Sequence, residues 1–159
     1  MKFQARNTYA ASPAEVHAML ADPAFREQVC ADQDVVEVEV SVTPTDDGGM
    51  SVVVDQVQPT PGVPSFATPI IGATTRAIQL EEWGDDHTAS LEIQAPGKPV
   101  TMSGSIMLEA EGSGTVEVID LEIRVKVPLI GGRLEKLMAS LVERSIRSEN
   151  QTGRAWLGE

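Results

Sequence analysis

The side chains that most often carry chemistry are scarce in this chain: two histidines and one cysteine among 159 residues. His17 stands between Val16 and Leu20 in a helical stretch. It could act as a general base at the mouth of a cavity, but no nucleophile or carboxylate is anchored to it by spacing, and a boundary histidine fits the pattern better. His87 closes Gly84-Asp85-Asp86-His87, a group that could touch a cation but reads more simply as a solvated hairpin turn. Cys30 has Glu27, Asp32 and Asp34 nearby. Such neighbours raise a thiol's pKa, so a buried structural thiol is expected rather than a nucleophile.

The sharpest candidate for catalysis is Asp55, which interrupts Val52-Val53-Val54-Asp55-Gln56-Val57. If Val53 and Val57 face inward, Asp55 does too, and a buried carboxyl of raised pKa could serve as an acid. If Val52 and Val54 face inward, Asp55 is solvated; Arg76 is a possible partner in either case. Glu81 and Glu82 are adjacent on a strand and therefore point to opposite faces, which is not the arrangement of a catalytic pair. Trp83 beside them either caps the core or stacks on a ligand. Asp46-Asp47-Gly48 lacks the spacing and closing Glu of a calcium loop. Gly131-Gly132 has no phosphate-binding fingerprint around it. Neither a metal site nor a cofactor is expected.

The elements that must position these residues follow from periodicity. Residues 3–9 alternate as a half-buried strand. Ser12-Pro13-Ala14-Glu15 is a helix start with capping-box chemistry, and Asp22-Pro23 is a second start, so two short helices meet at a corner. Six strands follow, over 35–43, 50–57, 75–83, 88–95, 100–110 and 115–127, joined by short turns that imply an antiparallel meander. In the last strand Val116 and Val118 lie on the opposite parity to Leu121, Ile123, Val125 and Val127. That phase slip predicts a β-bulge near 118–119. Residues 58–72 form a loop rich in proline and apolar side chains, of the kind that covers something. Leu134, Leu137, Met138, Leu141 and Val142 recur with helical period, predicting one helix over 133–156, roughly 35 Å long.

Composition bounds the function. The net charge of −12 argues against a sequence-independent nucleic-acid binder and against docking by charge on an anionic membrane. There is no run of 18 apolar residues and no signal-peptide pattern, so a cytoplasmic protein without integral membrane association is expected. A length of 159 residues suits one domain over 1–159. The acidity falls mostly on outward strand positions and turns, which reads as a solvated shell. Aromatics are only 4%, which leaves room between a curved sheet and a long helix.

The order of elements resembles that of the START-like, or polyketide cyclase/Bet v 1-like, helix-grip superfamily, an α+β fold written β-α-α-β6-α. Tyr9-Ala-Ala-Ser-Pro-Ala-Glu-Val16, Ala21-Asp-Pro-Ala-Phe-Arg26, Glu81-Glu-Trp83 and Lys126-Val-Pro-Leu-Ile-Gly-Gly-Arg-Leu-Glu135 are similar to an uncharacterised actinobacterial family within it. The resemblance implies a curved antiparallel sheet around a long C-terminal helix and a hydrophobic ligand cavity between them; it implies no particular reaction. On that architecture the expected cavity walls are Val54, Phe66, Ile78, Leu80, Trp83, Ile93, Ile106 and Leu108, with Leu134, Leu137, Met138 and Leu141 from the helix. The leading expectation is a carrier of a small hydrophobic ligand, lipid-like or polyketide-like, supported by an apolar cavity of roughly 300 Å³ or more. The alternatives are a cyclase- or hydratase-like enzyme using Asp55 and a protein-interaction module.

Overall fold

The computed structural model describes residues 1–159. Strand β1 spans Lys2–Tyr9, followed by helices α1 (Pro13–Leu20) and α2 (Pro23–Asp32). Strands β2 (Glu37–Pro44) and β3 (Met50–Pro59) lead to a single helical turn, α3 (Thr68–Ile71), within the proline-rich loop. Strands β4 (Thr74–Trp83), β5 (Thr88–Gln94), β6 (Val100–Glu111) and β7 (Gly114–Val125) complete the sheet, and α4 (Gly131–Trp156) ends the chain. All pairs are antiparallel, in the order β1-β7-β6-β5-β4-β3-β2.

The helix corner forms as its residues dictate. Ser12 accepts from the Glu15 amide while Glu15 accepts from the Ser12 amide, and the Asp22 carboxylate accepts from the Ala24 amide. Each satisfies amides that a helix start leaves without a partner. The corner buries Val16, Leu20 and Phe25. Helix α4 lies against α2, β1 and β7, which closes one layer of core between the helices and the sheet's inner face.

Two strands depart from the sequence reading. β7 pairs in unbroken register with both β1 and β6, so there is no bulge at 118–119. The phase slip has another cause. Counting back from Leu121, the inward positions are Ile119, Glu117 and Thr115; a buried carboxyl sits where the pattern expects an aliphatic side chain, and Val116 and Val118 lie on the other face. In β3 the inward set is Val52, Val54 and Gln56, so Asp55 faces outward.

Candidate functional site

Between the inner face of the sheet, α4 and the proline-rich loop lies a cavity of about 100 Å³. Its apolar walls include Leu91, Ile93, Met102 and Ile106 from the sheet and Met138 and Leu141 from α4; Thr60 and Ile71 come from the loop. Its other end is polar, lined by Gln56, Gln79, Glu81, Glu117, Ser145 and Glu149. A void of about 20 Å³ adjoins this end and touches Arg26 and Cys30. A larger depression of about 350 Å³ lies on the outer side of β2–β4, but its charged lining, Glu37, Glu39, Asp55 and Arg76, is open to solvent.

The polar end is built around one cation. Arg26 Nη1 and Nη2 each donate to a different oxygen of Glu81 at 2.8 Å, and Nε donates to the Leu20 carbonyl at 2.8 Å. Glu81 also accepts from Trp83 Nε1 at 2.8 Å and Gln79 Nε2 at 2.6 Å. Burial opposes ionisation of Glu81, yet the Arg26 charge and these donors hold its carboxyl below the usual range.

Glu117 and Glu149 are less well provided. Glu117 is 1% exposed. Its Oε2 accepts from Asn7 Nδ2 at 2.9 Å and from the Tyr9 hydroxyl at 3.4 Å, while Oε1 accepts nothing. Glu149 accepts no hydrogen bond, and its nearest charge is Arg26 Nη1 at 3.9 Å. Burial raises the Glu117 pKa. Burial, joined by repulsion from Glu117 and Glu81 and only partly offset by Arg26, pushes the Glu149 carboxyl up to about 8. The same surroundings press on Cys30: burial first, then the Glu149 charge, raise its thiol to about 11, and it donates weakly to Gln56 Oε1.

The structure brings four of the twelve expected wall residues to the cavity: Ile93, Ile106, Met138 and Leu141. Val54, Trp83, Leu108 and Leu134 are buried in the surrounding core without lining it. Leu137 is half-buried on α4, and Phe66 packs under the Arg133 guanidinium, 4.0 Å from its ring centroid. Ile78 and Leu80 take the opposite parity. The inward residues of β4 are Thr75, Ala77, Gln79 and Glu81, because Glu81 must reach Arg26, and this turns both aliphatics to the outer face.

Asp55 is corrected from a possible buried acid to half of a surface ion pair. Arg76 Nη2 lies 2.6 Å from its Oδ2, and Arg76 hydrogen bonding lowers its pKa, the opposite of what a neutral acid needs. His17 packs edge-on against Trp83, centroids 5.2 Å apart, with its pKa lowered by burial. His87 lies in its turn, 3.2 Å from Asp86. No three histidine, cysteine or acidic residues are gathered closely enough to hold a metal ion.

The reading of acidity as a solvated shell also needs correction, since Glu81 and Glu117 are inside and Glu149 lines the cavity. Arg26, Glu117 and Glu149 are the charged residues of this site that the sequence does not single out. The available signals were the break in β7 alternation at Glu117 and an arginine on the apolar face of α2 near Phe25 and Val29.

Residues 4–157 match the model of a family described as a protein of unknown function, DUF2505. The chain belongs to the DUF2505 family. A relative in Mycobacterium tuberculosis, an uncharacterised protein, is 26% identical over 118 residues, 70% of this chain and 68% of the relative. The DUF2505 chain is also similar in structure to a Thermus thermophilus protein, TTHA0849, with TM-score 0.67 and 20% identity over 98% of this chain and 95% of that one. The Zhui aromatase/cyclase from a Streptomyces species gives TM-score 0.64 and 15% identity over 98% and 92%. A START superfamily protein from Mycobacterium smegmatis gives 0.62 and 15% over 94% of each chain. At these identities the likeness establishes the fold alone: this DUF2505 chain has a START-like helix-grip architecture. No helix in it is long and apolar enough to cross a membrane.

Proposed function

We propose that this DUF2505 protein binds a small ligand with a compact apolar body in the cavity between the sheet and α4. The observation that carries this reading is the cavity itself, apolar along Leu91, Ile93, Ile106, Met138 and Leu141. Its volume of about 100 Å³ narrows the reading. Ligand sites for drug-sized molecules run from roughly 300 Å³, so a lipid-like or polyketide-like ligand needs more room than this conformation offers. An apolar site of about 150 Å³ accepts benzene, so the body that suits this smaller cavity is no larger than a five-carbon ring. The enzyme alternative loses its residue with Asp55 on the outer face. The interaction-module alternative gains no support, because the exposed large apolar side chains fall in several parts of the chain: Met1 ahead of β1, Val36 and Val38 about the start of β2, Met107 on β6, Leu129 ahead of α4 and Trp156 at its end.

The test is methyl-detected NMR with cyclopentanol as the probe. Shifts at Ile93, Ile106, Met138 and Leu141, abolished in an Ala77→Leu variant that fills the cavity, are the expected result. Saturating probe with no shift at those methyls overturns the reading.

A further inference from the structure

The polar end of the cavity holds more carboxyl oxygens than its own side chains satisfy. Three carboxyl groups, Glu81, Glu117 and Glu149, share one cation, and Glu81 takes both terminal nitrogens of Arg26 at 2.8 Å. Glu117, almost wholly buried, keeps Oε1 without a donor, and Glu149 has none at all. The one fully enclosed side-chain atom without a partner is His17 Nε2, so these carboxyl oxygens are not sealed in packed core; without donors, the two carboxyls are pressed toward their neutral forms.

The chemistry of the missing partner follows from what these groups lack. An anionic ligand would stand beside ionised Glu81 and against two carboxyls that burial already presses toward their neutral forms. A metal ion would need a gathered ligand set, which the side chains do not form. An ammonium supplies one positive charge and three N–H donors, which suits acceptor oxygens arriving from two elements. We propose that the cavity recognises a primary ammonium carried on a compact apolar body, with Glu117 of β7 and Glu149 of α4 receiving the ammonium and the aliphatic walls receiving the body. This rests on the cavity being a binding site, as argued above.

The charged and titratable groups facing Glu149 are Arg26 and Cys30 from α2, Glu81 from β4, Glu117 from β7 and Tyr9 from β1. With its carboxyl raised to about 8, Glu149 is largely protonated at pH 6. Binding an ammonium there releases that proton, so affinity for the amine rises with pH up to about pH 8, by at most tenfold per unit.

The experiment compares three ligands with one body, cyclopentylamine, cyclopentanol and cyclopentanecarboxylate, titrated by NMR at pH 6 and pH 8 into the wild-type protein, Glu149→Gln and Glu117→Gln. The expected result is preference for the amine, at least tenfold tighter at pH 8 than at pH 6. In Glu149→Gln that preference falls at least tenfold while cyclopentanol binding persists, which also shows that the variant is folded. Equal binding of amine and alcohol, tighter binding of the carboxylate, or an amine preference untouched in both variants overturns the ammonium assignment and leaves the cavity reading standing. If none of the three binds, both fall.

Discussion

Arg26 meets Glu81 with two parallel hydrogen bonds of 2.8 Å, the arginine 3% and the glutamate 0% exposed. This pair joins α2 to β4 across the core and leaves each charge dependent on the other. Breaking a buried pair from one side strands the remaining charge, at a cost of about 3–5 kcal/mol. Arg26→Ala is therefore expected to lose that much stability in urea denaturation, whereas the double variant Arg26→Met, Glu81→Leu should lose far less. Equal losses in the two would show that the pair is not what makes the single change costly.

Stability should fall as pH rises through the neutral range, and Glu149 gives the sign. Its folded pKa of about 8 lies above the ordinary carboxyl value of 4.5, so between those values the native state holds a proton that the unfolded state has released. That contribution is complete below pH 4.5 and is lost as pH climbs through about 8. Glu149→Gln should flatten this slope and be the more stable protein at pH 8, by up to about 4 kcal/mol. Parallel pH profiles of the two proteins in chemical denaturation would contradict it.

Gly153 inverts the usual rule for a helix interior, where Gly→Ala stabilises by about 1 kcal/mol. A Cβ there would stand 2.9 Å from Tyr9 Cε1 and 3.1 Å from the Met19 methyl. Gly153→Ala should lower stability by about 1–3 kcal/mol through overpacking, read as a fall in the melting midpoint. A rise would mean that β1 and α1 yield readily to the extra methyl.

Cys30 should be slow toward Ellman's reagent at pH 8, because burial and the Glu149 charge raise its thiol to about 11 and only the thiolate attacks. Reaction at the rate of an unfolded control in guanidinium would place the thiol in the open.

Much of the fold was legible because its elements obey local rules. Ser12 and Asp22 cap helices where their chemistry says they should, and the Leu134–Val142 stripe marks the inner face of α4. The parity of β3 stays open in the sequence between Val52 with Val54 and Val53 with Val57, and Asp55 hangs on the choice. The site was harder for a physical reason: a polar cavity places hydrophilic residues at inward positions, where alternation then misleads. Gln79 and Glu81 face inward while Ile78 and Leu80 face out, so choosing aliphatics as walls took the wrong side of β4. On β7, buried Glu117 looked like a slip in the strand itself. A pairing such as Arg26 with Glu81, 55 positions apart, has no local signature.

The loop over the cavity differs from the helix opposite it in how it is tied down. Asn150 bonds to Thr8, Thr152 to Asp32 and Ser145 to Gln33, so α4 is stitched to β1 and α2 near the polar end. The hydrogen bonds of residues 60–73 close among residues 60–75, such as Thr60 to Gly72 and Thr75 to Ile71, and the Arg133–Phe66 contact is a tie to α4. The loop is therefore held to the rest of the chain by packing rather than by hydrogen bonds, with Ala67 and Ile71 buried in the core. On the proposed reading, a Phe66→Ala change that loosens this packing should speed cyclopentanol entry and exit alike.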